Sequence, residues 1–212
     1  MYKTSIAVFV HHPECSIQSA HGIVRALALD HNVELITAKH LSDLNGFDVL
    51  AVPGGIGDSS SYHSILAPYA EHVHDYLSQG GRYLGICMGA YWAGPHYLNL
   101  LRNIDTVQYI KRPGADVRRS FGTVAQVVWQ GRPEHMFFYD GCSMVGSKRN
   151  FQTIARYMNG DPAAVIQGAI GVIGPHPESD IYWYTKSYMQ SYWHEYRHHK
   201  LLYNFVRKLL RH

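Results

Sequence analysis

The sequence predicts an α/β fold with a mostly parallel central sheet, an antiparallel extension in the second half and a long C-terminal helix. Three observations lead there. Four short apolar runs in the first ninety residues alternate with helical segments, which is the pattern of βαβ units. The strand-like runs of the second half follow one another over short connections. The last segment carries apolar residues at helical spacing.

Taken in order, Ser5 to Val10 reads as a buried strand, broken by His11-His12-Pro13-Glu14. Ser16 can cap a helix running to about Leu29, with Ile17, Ala20, Val24, Leu27 and Ala28 on one face. Val33 to Ala38 is the second strand, and Asp48 to Val52 the third, stopped by Pro53-Gly54-Gly55. A polar loop, Asp58-Ser59-Ser60-Ser61, leads to a helix over Ile65 to Leu77 that Gly80-Gly81 closes. Arg82 to Ile86 is the fourth strand, and Met88 to Ala93 starts a helix immediately after Cys87. Val107 to Ile110, Thr123 to Trp129, Met136 to Tyr139 and Ile170 to Ile173 read as strands of the antiparallel part. Ser187 to Leu210 reads as one amphipathic helix, with Met189, Tyr192, Trp193, Tyr196, Leu202, Phe205, Val206 and Leu209 near helical spacing. Residues 1–185 are expected to form the main domain, with 186–212 packed on it or extending it.

Composition narrows the class. Of 212 residues, 46% are hydrophobic and 17% charged, enough apolar content for a sizeable core and not the profile of a disordered chain. The net charge of +3 is too small to argue for nucleic acid, and the 15 histidines add charge only on acidification. No run is long and apolar enough to span a bilayer. The first apolar run, Ile6 to Val10, lacks a basic leader and a cleavage site and reads as a strand, so the expected location is the cytoplasm. The three cysteines, Cys15, Cys87 and Cys142, are widely spaced and form no C-x-x-C pair, which argues against a disulfide framework and a cysteine-built zinc site.

The chemistry concentrates at Gly85-Ile86-Cys87-Met88-Gly89. A nucleophile elbow needs a strand before it, a helix after it and small flanking residues, because the turn is tight and strains the nucleophile's backbone. Gly85 and Gly89 supply the small neighbours. The thiol would project into the crevice at the carboxyl edge of the sheet, at a helix N-terminus that favours an anion. A free cysteine is also commonly a small buried hydrophobe, so the five residues alone leave both readings open.

Two further segments supply what a thiol nucleophile needs. In Gly174-Pro175-His176-Pro177-Glu178, two-residue spacing in an extended stretch sends His176 and Glu178 the same way, and Pro177 keeps His176 out of a helix. That is a base with an orienting carboxylate; a solvated turn is the alternative. Gly54 and Gly55 can offer backbone N–H groups to an oxyanion, with Met88 N–H as second donor; an ordinary strand-ending turn is the alternative.

In this order the three segments resemble the class I glutamine amidotransferase superfamily, with its oxyanion-strand glycines, G-x-C-x-G elbow and late H-x-E. The resemblance implies a flavodoxin-like three-layer sandwich, with Cys87 as nucleophile, His176 as base and Glu178 as orienting acid. It implies a small-molecule amide or related substrate, no cofactor, and a separate synthetase or ligase chain as partner. The chain is more particularly similar to the N-terminal domain of biotin-protein ligases, at Gly85 to Tyr91, Phe138-Tyr139-Asp140-Gly141, Ile154-Ala155-Arg156-Tyr157, Ala163-Ala164-Val165 and Pro175 to Glu178. Where true amidotransferases place a substrate-holding glutamine, this chain has Tyr91, which either shapes a pocket for another substrate or packs as a core aromatic. Glu14, after the first strand, either tunes the elbow cysteine, as a carboxylate does in some protease-like relatives, or belongs to a surface turn.

His194-Glu195-Tyr196-Arg197-His198 matches H-E-x-x-H, the zinc-peptidase pattern. It requires a third ligand, and no Asp or Glu follows Glu195, so the solvated side of a terminal helix is the favoured reading. Two functional hypotheses emerge: a thiol-dependent amidohydrolase that passes through a thioester, and a non-catalytic module that keeps the fold to bind a ligand or partner.

Overall fold

The computed structural model describes residues 3–147 and 150–212. Its organising principle is the two-residue period of buried strands. In β1 (Ser5–Phe9), Ile6 and Val8 face one core, and Ala7 and Phe9 the other. In β3 (Val49–Val52), Val49 and Ala51 join the first core and Leu50 and Val52 the second. Strands covered on both faces read as unbroken apolar runs, which is what parallel sheets require.

Among the described residues the main sheet has nine strands. β2 (Asn32–Ile36), β1, β3, β4 (Arg82–Ile86) and β11 (Ile170–Ile173) are parallel, in that spatial order. Beyond β11 the sheet continues antiparallel through β10 (Pro162–Gln167), β9 (Gln152–Tyr157), β6 (Thr123–Trp129) and β7 (Arg132–Phe138). β5 (Ile104–Gln108) and β8 (Cys142–Gly146) form a separate antiparallel pair. The expected α/β sandwich, parallel first and antiparallel later, is borne out as a flavodoxin-like fold.

Helix α1 (Ile17–Leu27) begins at Ser16, whose hydroxyl accepts from Ser19 N–H. It lies on the first core together with α6 (Arg197–Leu209), which inserts Leu202, Phe205, Val206 and Leu209. On the other face, α2 (Ser59–Ile65), α3 (Ala70–Ser78) and α4 (Met88–Trp92) cover the second core.

Three expectations change. The single helix over Ile65 to Leu77 is two helices, α2 and α3, joined by a tight turn at Ala67–Tyr69. Pro68 lacks an N–H and disfavours helix at the residue before it. The polar segment expected as a loop is the start of α2, because the Asp58 carboxylate caps Ser61 N–H at 3.0 Å. The terminal helix is also divided: α5 (Ser187–Gln190) is one turn, and α6 starts only at Arg197. Glu195 (φ 48°) and Tyr196 (φ 61°) are left-handed and interrupt it.

Candidate active site

The parallel strands β1, β3, β4 and β11 are neighbours, and their carboxyl ends open on one edge of the sheet. The segments that follow them carry the sequence-predicted groups: Glu14 after β1, Gly54 and Gly55 after β3, Cys87 after β4, and His176 and Glu178 after β11. Open parallel sheets bind ligands at this edge.

Cys87 stands between β4 and α4 with φ 50° and ψ −104°, a conformation that L-residues rarely adopt. The flanking glycines permit it. A Cβ on Gly85 would overlap the backbone of Gly89, and one on Gly89 the carbonyl of Val52. Cys87 is 3% exposed, and its thiol donates to the Tyr139 carbonyl at 3.2 Å.

Gly54 is where the separate segments meet. A Cβ there would overlap His176 Cε1 and lie 3.4 Å from Cys87 Cβ. Only glycine lets the imidazole close over the strand end beside the cysteine. The His176 ring is bonded through Nδ1 to Glu178 Oε1 at 2.8 Å, and both residues are buried. Its Nε2 is buried and makes no hydrogen bond within the described chain. Burial opposes a charge on this ring, but the Glu178 carboxylate and the Cys87 sulfur outweigh it and raise His176 to about 10.

Ser19 completes the arrangement, and the sequence reading missed it. Its hydroxyl donates to Glu178 Oε1 at 2.6 Å and accepts from Gly54 N–H at 3.0 Å. Nothing in the sequence marks it: Ser19 is a polar residue within α1 whose complete burial only the folded chain reveals. This network occupies Gly54 N–H, so of the three expected oxyanion donors only Gly55 and Met88 keep N–H groups without an internal partner among the described residues. The loop is braced from outside: Arg25 pairs with Asp180 at 2.5 Å, and His199 Nε2 lies 3.2 Å from the Glu178 carbonyl.

Tyr91 packs as a core aromatic and also borders a cleft. Burial pushes its phenol pKa up, its hydroxyl donates to the Asp140 carbonyl at 3.1 Å, and its ring packs against the second core. It also lines a cleft of about 450 Å³ together with Cys87, Met88, Gly55 and Asp140. A second cleft of about 340 Å³ holds His176, Phe137, Tyr182 and Trp183 and shares Gly55, Ile56 and Tyr139 with the first. Glu14 lines neither cleft. Its carboxylate meets His11 Nδ1 at 3.1 Å, while its carbonyl accepts from Ile56 N–H and Gly57 N–H and so shapes the loop after β3.

The H-E-x-x-H residues do not lie on one helix. His194 and His198 stack with ring centroids 3.9 Å apart, and His198 Nε2 meets Glu134 Oε2 at 3.1 Å. Two stacked rings do not converge on a common point. Among the described residues no group of three His, Cys, Asp or Glu side chains is arranged to hold a metal. No helix among them is long and apolar enough to cross a membrane.

Residues 11–98 match the family model described as the N-terminal region of biotin-protein ligase. Comparison with curated proteins gives no match. Solved structures match along the whole chain. A glutamine amidotransferase is 18% identical with a TM-score of 0.67, over 98% of this chain and 99% of that one. PurLQS from Thermotoga maritima is 14% identical with a TM-score of 0.68, over 98% and 100%. A glutamine amidotransferase from Thermotoga maritima is 11% identical with a TM-score of 0.69, over all of both chains. The strand order and these likenesses agree that the chain has the fold of glutamine amidotransferases, and its residues 11–98 are similar to the N-terminal region of biotin-protein ligase.

Proposed function

We propose that the chain is a cysteine-dependent amidohydrolase of the glutamine amidotransferase type. The observation that carries this reading is the meeting at Gly54: a strained cysteine at a strand-to-helix turn beside a buried imidazole that is itself held by a buried carboxylate. The Cys87 thiol passes its proton to His176 as its sulfur attacks the amide carbonyl, and Gly55 N–H and Met88 N–H receive the oxyanion. His176, protonated by that transfer, gives the proton to the leaving nitrogen. The amine departs and a thioester remains. Water then attacks with His176 taking its proton and returning it to the departing sulfur, which releases the acid and restores the thiol. Glu178 holds the ring and balances its charge throughout. No step calls for a cofactor. The likeness to PurLQS supports a partner chain that would receive the released amine.

One observation favours the second reading, a binding module with a silent site: the thiol is already bonded to the Tyr139 carbonyl and nearly covered. Limiting iodoacetamide followed by peptide mapping separates the two, together with amine release from a panel of amides that includes glutamine. The hydrolase reading expects labelling of Cys87 before Cys15 and Cys142, and turnover lost in Cys87→Ala. Labelling without preference, with no turnover on any amide, overturns it.

A further inference from the structure

Two clefts meet at the sheet edge, and they divide the reacting groups between them. The one of about 450 Å³ is lined by Cys87 and Met88; the one of about 340 Å³ is lined by His176 and not by the cysteine. Gly55, Ile56 and Tyr139 border both, so the two are continuous. In acyl transfer from an amide to Cys87, the carbonyl carbon sits at the sulfur and its oxygen at the Gly55 and Met88 N–H groups. The leaving nitrogen lies where it can take a proton from His176. The His176 cleft is therefore the side on which a substituent of the leaving nitrogen continues.

The walls of that side are aromatic and uncharged. Phe137, His176 and Trp183 stand edge to face, with ring centroids 4.9, 5.3 and 5.8 Å apart. Tyr139 and Tyr182 line the same space and are 42% and 43% exposed, and Ile56 is 67% exposed. No Asp, Glu, Lys or Arg lines it among the described residues. Covering open apolar surface of this kind is favourable. An ammonia molecule is about the size of a water, whose share of liquid volume is about 30 Å³, and needs no such cleft. The ionised groups of a free amino acid would find no counter-charge there.

We propose that the His176 cleft is a leaving-group site for an amine bearing an apolar ring, so that the substrate is a secondary amide rather than a primary one. The ring packs against Tyr139, Tyr182 and Trp183 and holds the nitrogen beside His176. In the forward direction the C–S bond forms, the C–N bond breaks, and the nitrogen leaves as the neutral amine with the proton from His176. In reverse, an amine seated in the cleft attacks the thioester: the C–N bond forms, the C–S bond breaks, and His176 carries the proton from nitrogen to sulfur. The inference deepens the hydrolase reading and rests on Cys87 forming the thioester.

The reverse step supplies the test, because it requires no knowledge of the natural acyl group. In the full chain, p-nitrophenyl acetate transfers its acetyl group to the Cys87 sulfur and releases p-nitrophenol; peptide mapping locates the acetyl group. Ethylamine and phenethylamine then compete with water for it, each rate divided by that amine's rate with a small acetyl thioester in solution. The expected result is a preference for phenethylamine on the order of tenfold, the scale of partly burying one aromatic ring. Tyr182→Ala and Trp183→Ala should each lower that preference several-fold, whereas Tyr192→Ala, at an exposed aromatic outside both clefts, should keep it. The readout is a ratio of two amines on one protein, so general damage to the site cancels from it. Parity of the two amines on the acetylated, unaltered chain overturns the proposal, and so does a preference that survives both cleft substitutions or is lost equally in Tyr192→Ala. In each of those cases an acetyl group that forms on Cys87 and is cleared by water leaves the hydrolase reading standing. Failure of Cys87 to take the acetyl group overturns both.

Discussion

Ser19 Oγ donates to Glu178 Oε1 at 2.6 Å, across 159 residues of sequence, and in doing so joins α1 to the loop after β11. The same oxygen accepts from Gly54 N–H, so one hydroxyl orients both the carboxylate behind His176 and the strand end beside Cys87. Hydrogen bonds to a buried carboxylate contribute about 1.5–3 kcal/mol.

Ser19→Ala should lower kcat by roughly 10- to 100-fold, the same range expressed as a rate, with KM nearly unchanged. Glu178 would then hold His176 with one fewer donor, so the pH–rate profile should shift as well. Ser19→Thr keeps the hydroxyl and should restore part of the loss. Steady-state kinetics across pH on the three proteins decide it; an unshifted profile with full activity in Ser19→Ala would count against a positioning role.

Gly54→Ala should cost activity more than it costs folding. The new methyl would occupy the place of His176 Cε1, and the imidazole, at the end of a loop, is the group able to move. Overpacking of this kind destabilises by about 1–3 kcal/mol. Denaturant unfolding should show a loss in that range, and turnover should fall by two orders of magnitude or more, on the order of what displacing a catalytic group costs.

His176 is raised above its unfolded value of 6.5 to about 10, with burial opposing and the Glu178 and Cys87 charges driving the rise. The folded form therefore binds a proton more tightly than the unfolded one. The stability this contributes is complete below about pH 6.5 and is lost as pH climbs through about 10. Removing the sulfur in Cys87→Ala should lower the His176 titration midpoint, and alkaline unfolding should gain a component that begins at lower pH. Histidine ring NMR titration of both proteins reads the shift; an unchanged midpoint would separate His176 from Cys87.

His194 and His198 are displaced in the opposite direction, to about 2 and about 3, by burial first and then by nearby cationic groups including Arg197. Both are neutral when folded and take protons when unfolded, from about pH 6.5 downward. Stability should therefore fall as pH drops from 6.5 toward 3, by up to about 2 kcal/mol per histidine at pH 5. His198→Gln, which can still donate to Glu134, should lose less stability between pH 7 and pH 5 than the unaltered chain. Urea unfolding at the two pH values measures the difference.

Local rules made the parallel half of the fold legible. Unbroken apolar runs can be buried only in a sheet covered on both faces, and β4 and β11 stand where the sequence reading places them. The elbow was legible for the same reason: a cysteine with positive φ needs Gly85 and Gly89 beside it in the chain. β8, β9 and β10 were not read as strands, because their mixed runs of small and polar residues become strands only by pairing with distant partners. The division of the terminal helix at Glu195 and Tyr196 was equally hidden, since apolar spacing continues through the break. By itself the sequence determined the fold class and the elbow that carries Cys87. Tertiary structure alone decided that Gly54 N–H is taken by Ser19, that Glu14 faces His11 and that Tyr91 supports Asp140. Each of those is a contact between segments far apart in the chain or a choice among side-chain partners, which three-dimensional packing sets and local spacing does not.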